Sequence, residues 1–428
     1  MNDEHILRIK EPLERDESIR RYEYNEYLPI TGTSLNTNGE IRIIIESTDE
    51  FLNPSQSFIQ IEGQLVKSTA GAAYGDGDNI TLVNNGPMFL FSNIKYEMSG
   101  YEVESINYPG PASTMKGLLK YSPNYAEGQG MNHCWMKDTT NEANITTNNG
   151  FKMRQSYIIK SPNPKGNFNF CIPLHHVFGY ADDYDKISYG LRHILTLNRQ
   201  GDNDAIFRAG TVDAGKIVIS KISWMMPRVL PNDKEKLKLI KLIESEESIQ
   251  AGFRAHHCDT ISVPEAQTFS WKLNVRTSPE CPRWVIVAFQ TNRSDQQDKN
   301  SATFDHCNAQ EVWIELNGDA YPSMQYHTDF TKMQMAGIYN AIADFIPNYY
   351  GFTNGQPTIS PLNFKTLYPL HVINLTKQPE GIKRGVMDMN LRAKFRQNVP
   401  ANTQAFVLVI SDRILTFPGY GNKMNVKR

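Results

Sequence analysis

Two adjacent histidines, His175 and His176, sit in the run NFCIPLHHVF (169–178), and three carboxylates, Asp182, Asp183 and Asp185, follow closely. Imidazole nitrogens and carboxylate oxygens are the ligands of many metal centres and the usual partners in acid–base catalysis. A second Pro-Leu-His, at 369–371 in LYPLHVINLT (367–376), has no acidic cluster behind it. A metal centre needs converging ligands, and neither run has the His-x-His spacing of cupin-type sandwiches. No metal is therefore assigned to His175 and His176. HHCD (256–259) sets His, Cys and Asp side by side, but neighbours on a strand point to opposite faces and do not make a nucleophile–base pair. It reads as a strand leading into the second half. ADDYD (181–185) lacks calcium-loop spacing and reads as a surface loop. The phosphate-binding, dinucleotide-binding, serine-hydrolase and zinc-protease signatures are all missing from the sequence. No catalytic, cofactor-binding or metal-ligating residue is assigned, and the expectation is a protein that is not an enzyme and takes no cofactor.

If these residues do no chemistry, the question passes to the elements that carry them. The chain has 428 residues, 40% of them hydrophobic and 21% charged, which is enough for two or three domains with real cores. The net charge of −2 argues against wrapping nucleic acid, which needs a basic surface to displace counterions. Basic residues gather near the ends instead, as Arg15, Arg20 and Arg21 and as Lys423, Lys427 and Arg428. The five cysteines are odd in number and no pair has Cys-x-x-Cys spacing, so neither a disulfide framework nor a zinc ribbon is expected. The charged opening residues hold no apolar signal core, and no apolar run is long enough to span a bilayer.

Most of the chain reads as short strands bounded by Gly, Pro and Asn. EIRIIIES (40–47), SFIQIEGQLV (57–66), MFLFSNIKYEM (88–98), HILTLNR (193–199) and KIVISKISWMM (216–226) mark the first half. TFSWKLNV (268–275), RWVIVAFQT (283–291), EVWIEL (311–316), VMDMNLRAKF (386–395) and QAFVLVISDRILTF (404–417) mark the second. Helices are expected over 111–123, over 232–252 with Asn232 as cap and Gly252 as terminator, and over 332–347 with Pro347 as the stop. Residues 13–27 fit either a charged helix or an extended arm.

The two halves run through the same order of events. A hairpin turn (EMSG 97–100; ELNG 315–318), a Tyr-Pro, a helix and a Pro-Leu-His occur in each. The first copy carries an insertion around 127–150. This order predicts an all-β chain of two consecutive eight-stranded jelly rolls with short helices in loops. The expected layout is an N-terminal arm (1–36), a first roll (37–230), a linker helix (231–254), a second roll (255–418) and a tail (419–428). The arm alternates charge with tyrosine. Arg20, Arg21, Tyr22, Tyr24 and Tyr27 are its candidate assembly residues, on the view that Tyr buries area at little entropic cost.

The stretches TLVNNGPMFLFSNIKYEMSGYEVESINYPG, GLLKYSP, DDYDKISYGLRHILTLNR and LYPLHVINLTKQPE resemble double jelly-roll major capsid proteins of the adenovirus, virophage and Polinton-like lineage, nearest to Polinton-like or adintovirus-like capsid proteins. The resemblance runs roughly from Tyr27 to Phe417. It implies a structural protein that forms pseudo-hexagonal homotrimers tiling an icosahedral shell, with loops outward and the arm inward. It also implies a virion location after assembly in the cytoplasm or nucleus. The implied partners are the chain itself, minor or penton capsid proteins and, by weak contact at most, packaged DNA. The alternatives are a host-domesticated capsid-like protein and a double jelly-roll glycan-binding protein or hydrolase, which would need a cleft of converging carboxylates.

Overall fold

The computed structural model describes residues 17–30, 34–46, 49–69, 71–245, 248–273, 281–351, 359–377, 388–420 and 423–424. In the first half, strands β1 (Ile19–Tyr27), β2 (Gly39–Ile45), β3 (Phe51–Leu52), β4 (Phe58–Lys67), β5 (Ile80–Leu82), β6 (Phe91–Met98) and β7 (Tyr101–Asn107) come first. β8 (Asn167–Pro173), β9 (Ser188–Tyr189), β10 (His193–Arg199), β11 (Ile206–Arg208) and β12 (Gly215–Pro231) follow a long helical insertion. The alternation in β2 and β4 explains their placement. Ile41, Ile43 and Ile45, and Ile59, Ile61 and Leu65, are buried, while the residues between them face outward. One sheet runs β8-β4-β12 with β1 on the far edge of β12, and a second runs β2-β10-β6-β7.

The second half is built from β13 (Ile249–Val263), β14 (Thr268–Lys272), β15 (Cys281–Thr291), β16 (Ala309–Leu316), β17 (Asp319–Tyr321), β18 (His371–Asn374), β19 (Met389–Phe395) and β20 (Thr403–Phe417). Its sheets run β18-β15-β20-β13 and β14-β19-β16-β17. Laid beside the first half, eight strands coincide in order: β8, β4, β12 and β1 answer to β18, β15, β20 and β13, and β2, β10, β6 and β7 to β14, β19, β16 and β17, while β3 and β9, which extend the first sheet beside β12, have no counterpart among the described strands of the second. The hairpins agree in detail. Ser99 and Gly100 have φ of 46° and 87°, and Asn317 and Gly318 have φ of 51° and 95°. Two successive left-handed residues give the turn that suits a twisted two-residue hairpin, and Gly and Asn tolerate it best.

The Pro-Leu-His correspondence fails. Pro173 ends β8, and Leu174–Val177 is a helical turn, whereas Pro369 precedes β18. The two runs lie on like-placed strands but at opposite ends, so their shared letters mark no equivalent position. Three other expectations are corrected. The linker helix spans Asp233–Glu244; Asn232 caps it by accepting from Glu235 N at 2.8 Å, but Gly252 lies inside β13. The helix expected over 332–347 is two helices, Ala336–Ala343 and Phe345–Tyr350, with Pro347 in the first turn of the second, where a missing N–H costs nothing. The described part of the arm is not separate from the first roll. Ile19–Tyr27 pairs with β12 from Pro231 to Trp224, and Tyr27 packs against the core. Arg15 lies outside the described residues.

Burial explains the two most apolar runs. In β20, Ala405, Val407 and Val409 point into the second half's own core, while Phe406, Leu408 and Ile410 join a core cluster continuous with the first half. β15 does the same, with Val285, Val287 and Phe289 on one face and Trp284, Ile286 and Ala288 on the other. A strand covered on both faces loses its alternation. All five cysteines are free, and four are buried. Burial pushes the thiols of Cys134 and Cys307 up to about 12 and about 11.

Candidate functional site: the joint between the halves

The outer face of the β13–β20–β15 sheet meets β7 and two helices of the first half, Pro109–Lys120 and Gly179–Asp183. Charge is concentrated there. Glu104, fully buried on β7, accepts from Gly179 N and Tyr180 N at 3.1 Å and from His256 N at 2.7 Å. Burial pushes its carboxyl up to about 7, against the pull of these three donors and of the Arg413 charge. Arg413 on β20 donates to the Val103 carbonyl. Asp183 accepts from Arg254 N and Nε at 2.8 Å, and the Arg254 guanidinium lies 3.6 Å from the centre of the Tyr349 ring. Asp182 sits between Lys116 Nζ at 3.1 Å and Lys120 Nζ at 2.5 Å and accepts from Tyr350 OH at 3.0 Å. Burial alone would raise its pKa, but the two ammonium groups outweigh burial and hold it far below the usual carboxylate range. Lys120 is pushed down to about 8 by burial and by Lys116. Gly179 is required by close approach: a Cβ there would lie 1.7 Å from the Arg254 carbonyl oxygen.

A second node ties the insertion to the other half. Asp138 and Arg154, both fully buried, pair at 2.7 Å, and Asn148 Nδ2 donates to Asp138 at 2.8 Å. From the second half, Asn300 Nδ2 donates to Asp138 at 2.8 Å, and Tyr368 OH donates to its carbonyl at 3.0 Å. Glu142 accepts from Asn300 N at 2.9 Å and pairs with Arg293, which also holds Asp305 at 2.7 Å. Buried charges are tolerated when paired and fully hydrogen-bonded. The Asp138–Arg154 pair meets that condition, and both nodes carry hydrogen bonds across the joint, so the halves form one block.

The residues that opened the sequence reading divide here. His176 is buried with its ring between Tyr121 OH at 2.7 Å and Asn85 Oδ1 at 3.0 Å, and burial holds it well below its ordinary pKa. His175 is half-buried and pushed by burial down to about 4. Among the described residues no group of three or more His, Cys, Asp and Glu side chains could hold a metal. Asp182 and Asp183 are not in a surface loop but in the joint, while Asp185 is exposed and pairs with Lys186. In HHCD, His256 and Cys258 point inward, while His257 and Asp259 pair with each other at 3.0 Å on the other face. Arg20, Arg21, Tyr22 and Tyr24 are exposed on β1, and Tyr27 is half-buried. The sequence reading missed Glu104, Lys116, Arg254 and Asp138.

The family model described as a double jelly roll-like domain matches residues 80–415. The chain belongs to the double jelly roll-like domain family. Among solved structures, this double jelly roll is similar to the 3.5 Å cryo-EM structure of the Sputnik virophage, with TM-score 0.60 and 10% identity over 98% of this chain and 91% of that one. It is similar to the Faustovirus major capsid protein, with TM-score 0.57 and 10% identity over 97% and 94% of the two chains. The mavirus major capsid protein gives TM-score 0.51 and 12% identity over 98% and 92%. Identities this low speak for the shared fold alone. No curated protein sequence matches the double jelly roll. Among its described residues no helix is long and apolar enough to cross a membrane.

Proposed function

We propose that this double jelly roll is the structural major capsid protein of a virus, without catalytic activity, and that it works as a homotrimer tiling an icosahedral shell. The observation that carries the reading is the internal repeat of sheet order, locked by a joint in which Glu104, Asp183, Asp138 and Glu142 each accept a hydrogen bond from the other half. Each half reads as an eight-stranded roll, so three chains would present six like blocks to their neighbours, and closed symmetry favours such a ring. The reading includes packing into a virion, minor or penton proteins at the shell's special positions, and at most weak contact with packaged DNA, in line with the near-neutral charge. It extends to the Polinton-like and adintovirus-like branch on the sequence resemblance. The exposed β1 residues Arg20, Arg21, Tyr22 and Tyr24 are read as an assembly face. Sizing of the purified chain by light scattering, followed by electron microscopy, tests the proposal. Trimers or shells are expected, and a monomer at all concentrations overturns it.

A further inference from the structure

The first half holds a cluster of imidazoles that the joint does not use. His133 closes the turn Gln129–His133 and is 1% exposed, and neither of its ring nitrogens has a hydrogen-bond partner among the described residues. Its ring centre lies 5.0 Å from that of His176, 5.9 Å from that of Tyr121 and 5.5 Å from that of Tyr125. His176 is the middle of a directed hydrogen-bond chain. Tyr121 OH donates to its Nδ1, its Nε2 donates to Asn85 Oδ1, Asn85 Nδ2 donates to Ser113 Oγ at 2.7 Å, and Ser113 donates to the Pro109 carbonyl. A neutral ring fits this chain, whereas a second proton makes Nδ1 a donor against the Tyr121 O–H. The surroundings are already cationic. Lys116, Lys120 and His175 bear on His176, and Lys120 and His175 on His133. The facing carboxylate, Asp182, is shared by both lysines and by Tyr350 of the second half. β8 adds only the Cys171 thiol, bonded to Asn132, and Glu127 on the covering segment is exposed.

We propose that segment 121–135 is an acid-operated latch: proton uptake by His133 and His176 lifts it from the first half while the second half stays folded. The cover over the two rings is thin. Pro123, Asn124, Gly128, Gln129 and Asn132 are exposed, so the segment lifts by local opening, without unfolding the sandwich. His193 is a contrasting case. It is buried and hydrogen-bonded at both nitrogens in the inner strand β10, and charging it requires the roll itself to open. Burial holds His133 down at about 3 and His176 well below its ordinary value, and once the segment lifts each ring takes a proton near 6.5. The closed form therefore binds fewer protons than the open one. Its stability is complete above about 6.5 and falls as pH drops from there towards 3. His133 alone moves the closed-to-open ratio by roughly 50- to 100-fold between pH 7 and 4.5.

The test is hydrogen–deuterium exchange of the full chain at pH 7 and pH 4.5, read by peptide mass spectrometry and corrected for the intrinsic pH dependence of exchange. Peptides covering 121–135 should lose protection by at least roughly 50-fold at the lower pH, while those from β15 and β20 keep theirs. Loss of protection throughout the chain, or none in 121–135, overturns the proposal. Two variants separate the latch from general acid sensitivity, with circular dichroism at pH 7 checking the fold. His133→Phe keeps an aromatic ring, strands no hydrogen bond and takes no proton. His176→Gln keeps one acceptor for Tyr121 and one donor for Asn85. In each, the acid-induced loss over 121–135 should shrink at least about tenfold, because one proton site of the open form is gone. His257→Gln, on the second half, should follow the wild type. If His133→Phe and His176→Gln lose protection as the wild type does, the two rings are not the sensors and the proposal falls. If neither variant folds, the wild-type peptide pattern decides alone.

Discussion

Replacing Gly179 with alanine should pry open the joint at one point. The new Cβ would stand 1.7 Å from the Arg254 carbonyl oxygen, which belongs to the other half and is held in β13. An unstrained contact needs roughly 3.5 Å, so backbone on one side has to retreat by more than about 1 Å. Retreat of the Gly179 helix would stretch the Gly179 and Tyr180 N–H bonds onto Glu104, now 3.1 Å, and retreat of β13 the His256 bond, now 2.7 Å, to about 4 Å, beyond hydrogen-bonding range. Each buried donor left without its acceptor costs about 1–3 kcal/mol. Water admitted by the gap recovers part of this, leaving a net loss of roughly 2–4 kcal/mol for the one or two donors stranded. Gly252→Ala is the control: it lies on the same strand, and its Cβ meets nothing within 4 Å. Urea unfolding followed by tryptophan fluorescence reads both variants, since Trp284 lies at the joint against Phe345. The control should stay within about 1 kcal/mol of wild type. If Gly179→Ala does the same, the joint is not rigid in the way argued here.

Glu104 gives a pH signature. Its carboxyl is raised from 4.5 to about 7 in the fold, so the stability tied to its proton is fully present below about 4.5 and is lost as pH climbs through 7. Between pH 5 and 8 the wild type should lose on the order of 3 kcal/mol relative to Glu104→Gln; parallel pH profiles in urea melts would contradict this. Asp138→Ala leaves the Arg154 guanidinium buried without its carboxylate, and a loss of about 3–5 kcal/mol is expected in the same assay. Deleting residues 1–18 removes the Ser18 and Glu17 carbonyls that accept from Asn232 N and Nδ2 and should cost about 1–2 kcal/mol. Deleting 1–27 removes β1 and exposes the β12 edge, at roughly 0.2–1 kcal/mol for each cross-strand pair lost; equal melting of the two truncations would show that β1 adds nothing to the first half.

The strands were legible in the sequence because alternation is a local property, and Ile41, Ile43 and Ile45 reveal their buried face without any knowledge of the partner strand. The EMSG and ELNG hairpins were legible because two successive left-handed residues limit the choice of amino acids. The Pro-Leu-His match misled because a shared tripeptide carries no information about which end of a strand it occupies. Gly252 misled in the same way: a glycine after a helical pattern looks like a terminator, and only pairing with Ile414 shows that it is a strand residue. The joint was hidden because Glu104, Asp182 and Arg254 are far apart in sequence and ordinary in local context. One trace of it was present. WVIVAF and FVLVI do not alternate, and in an antiparallel sheet that marks a strand with no face left for water.

The buried thiols carry a consequence for how the fold meets changes of redox surroundings. Only the thiolate forms disulfides or takes up oxidants at a useful rate. With Cys134 and Cys307 held at about 12 and about 11, and Cys258 raised by complete burial, almost none is present at neutral pH. A fold built this way keeps these thiols unchanged in reducing and in oxidising surroundings. Its strength is then the same in both, as far as these three side chains set it.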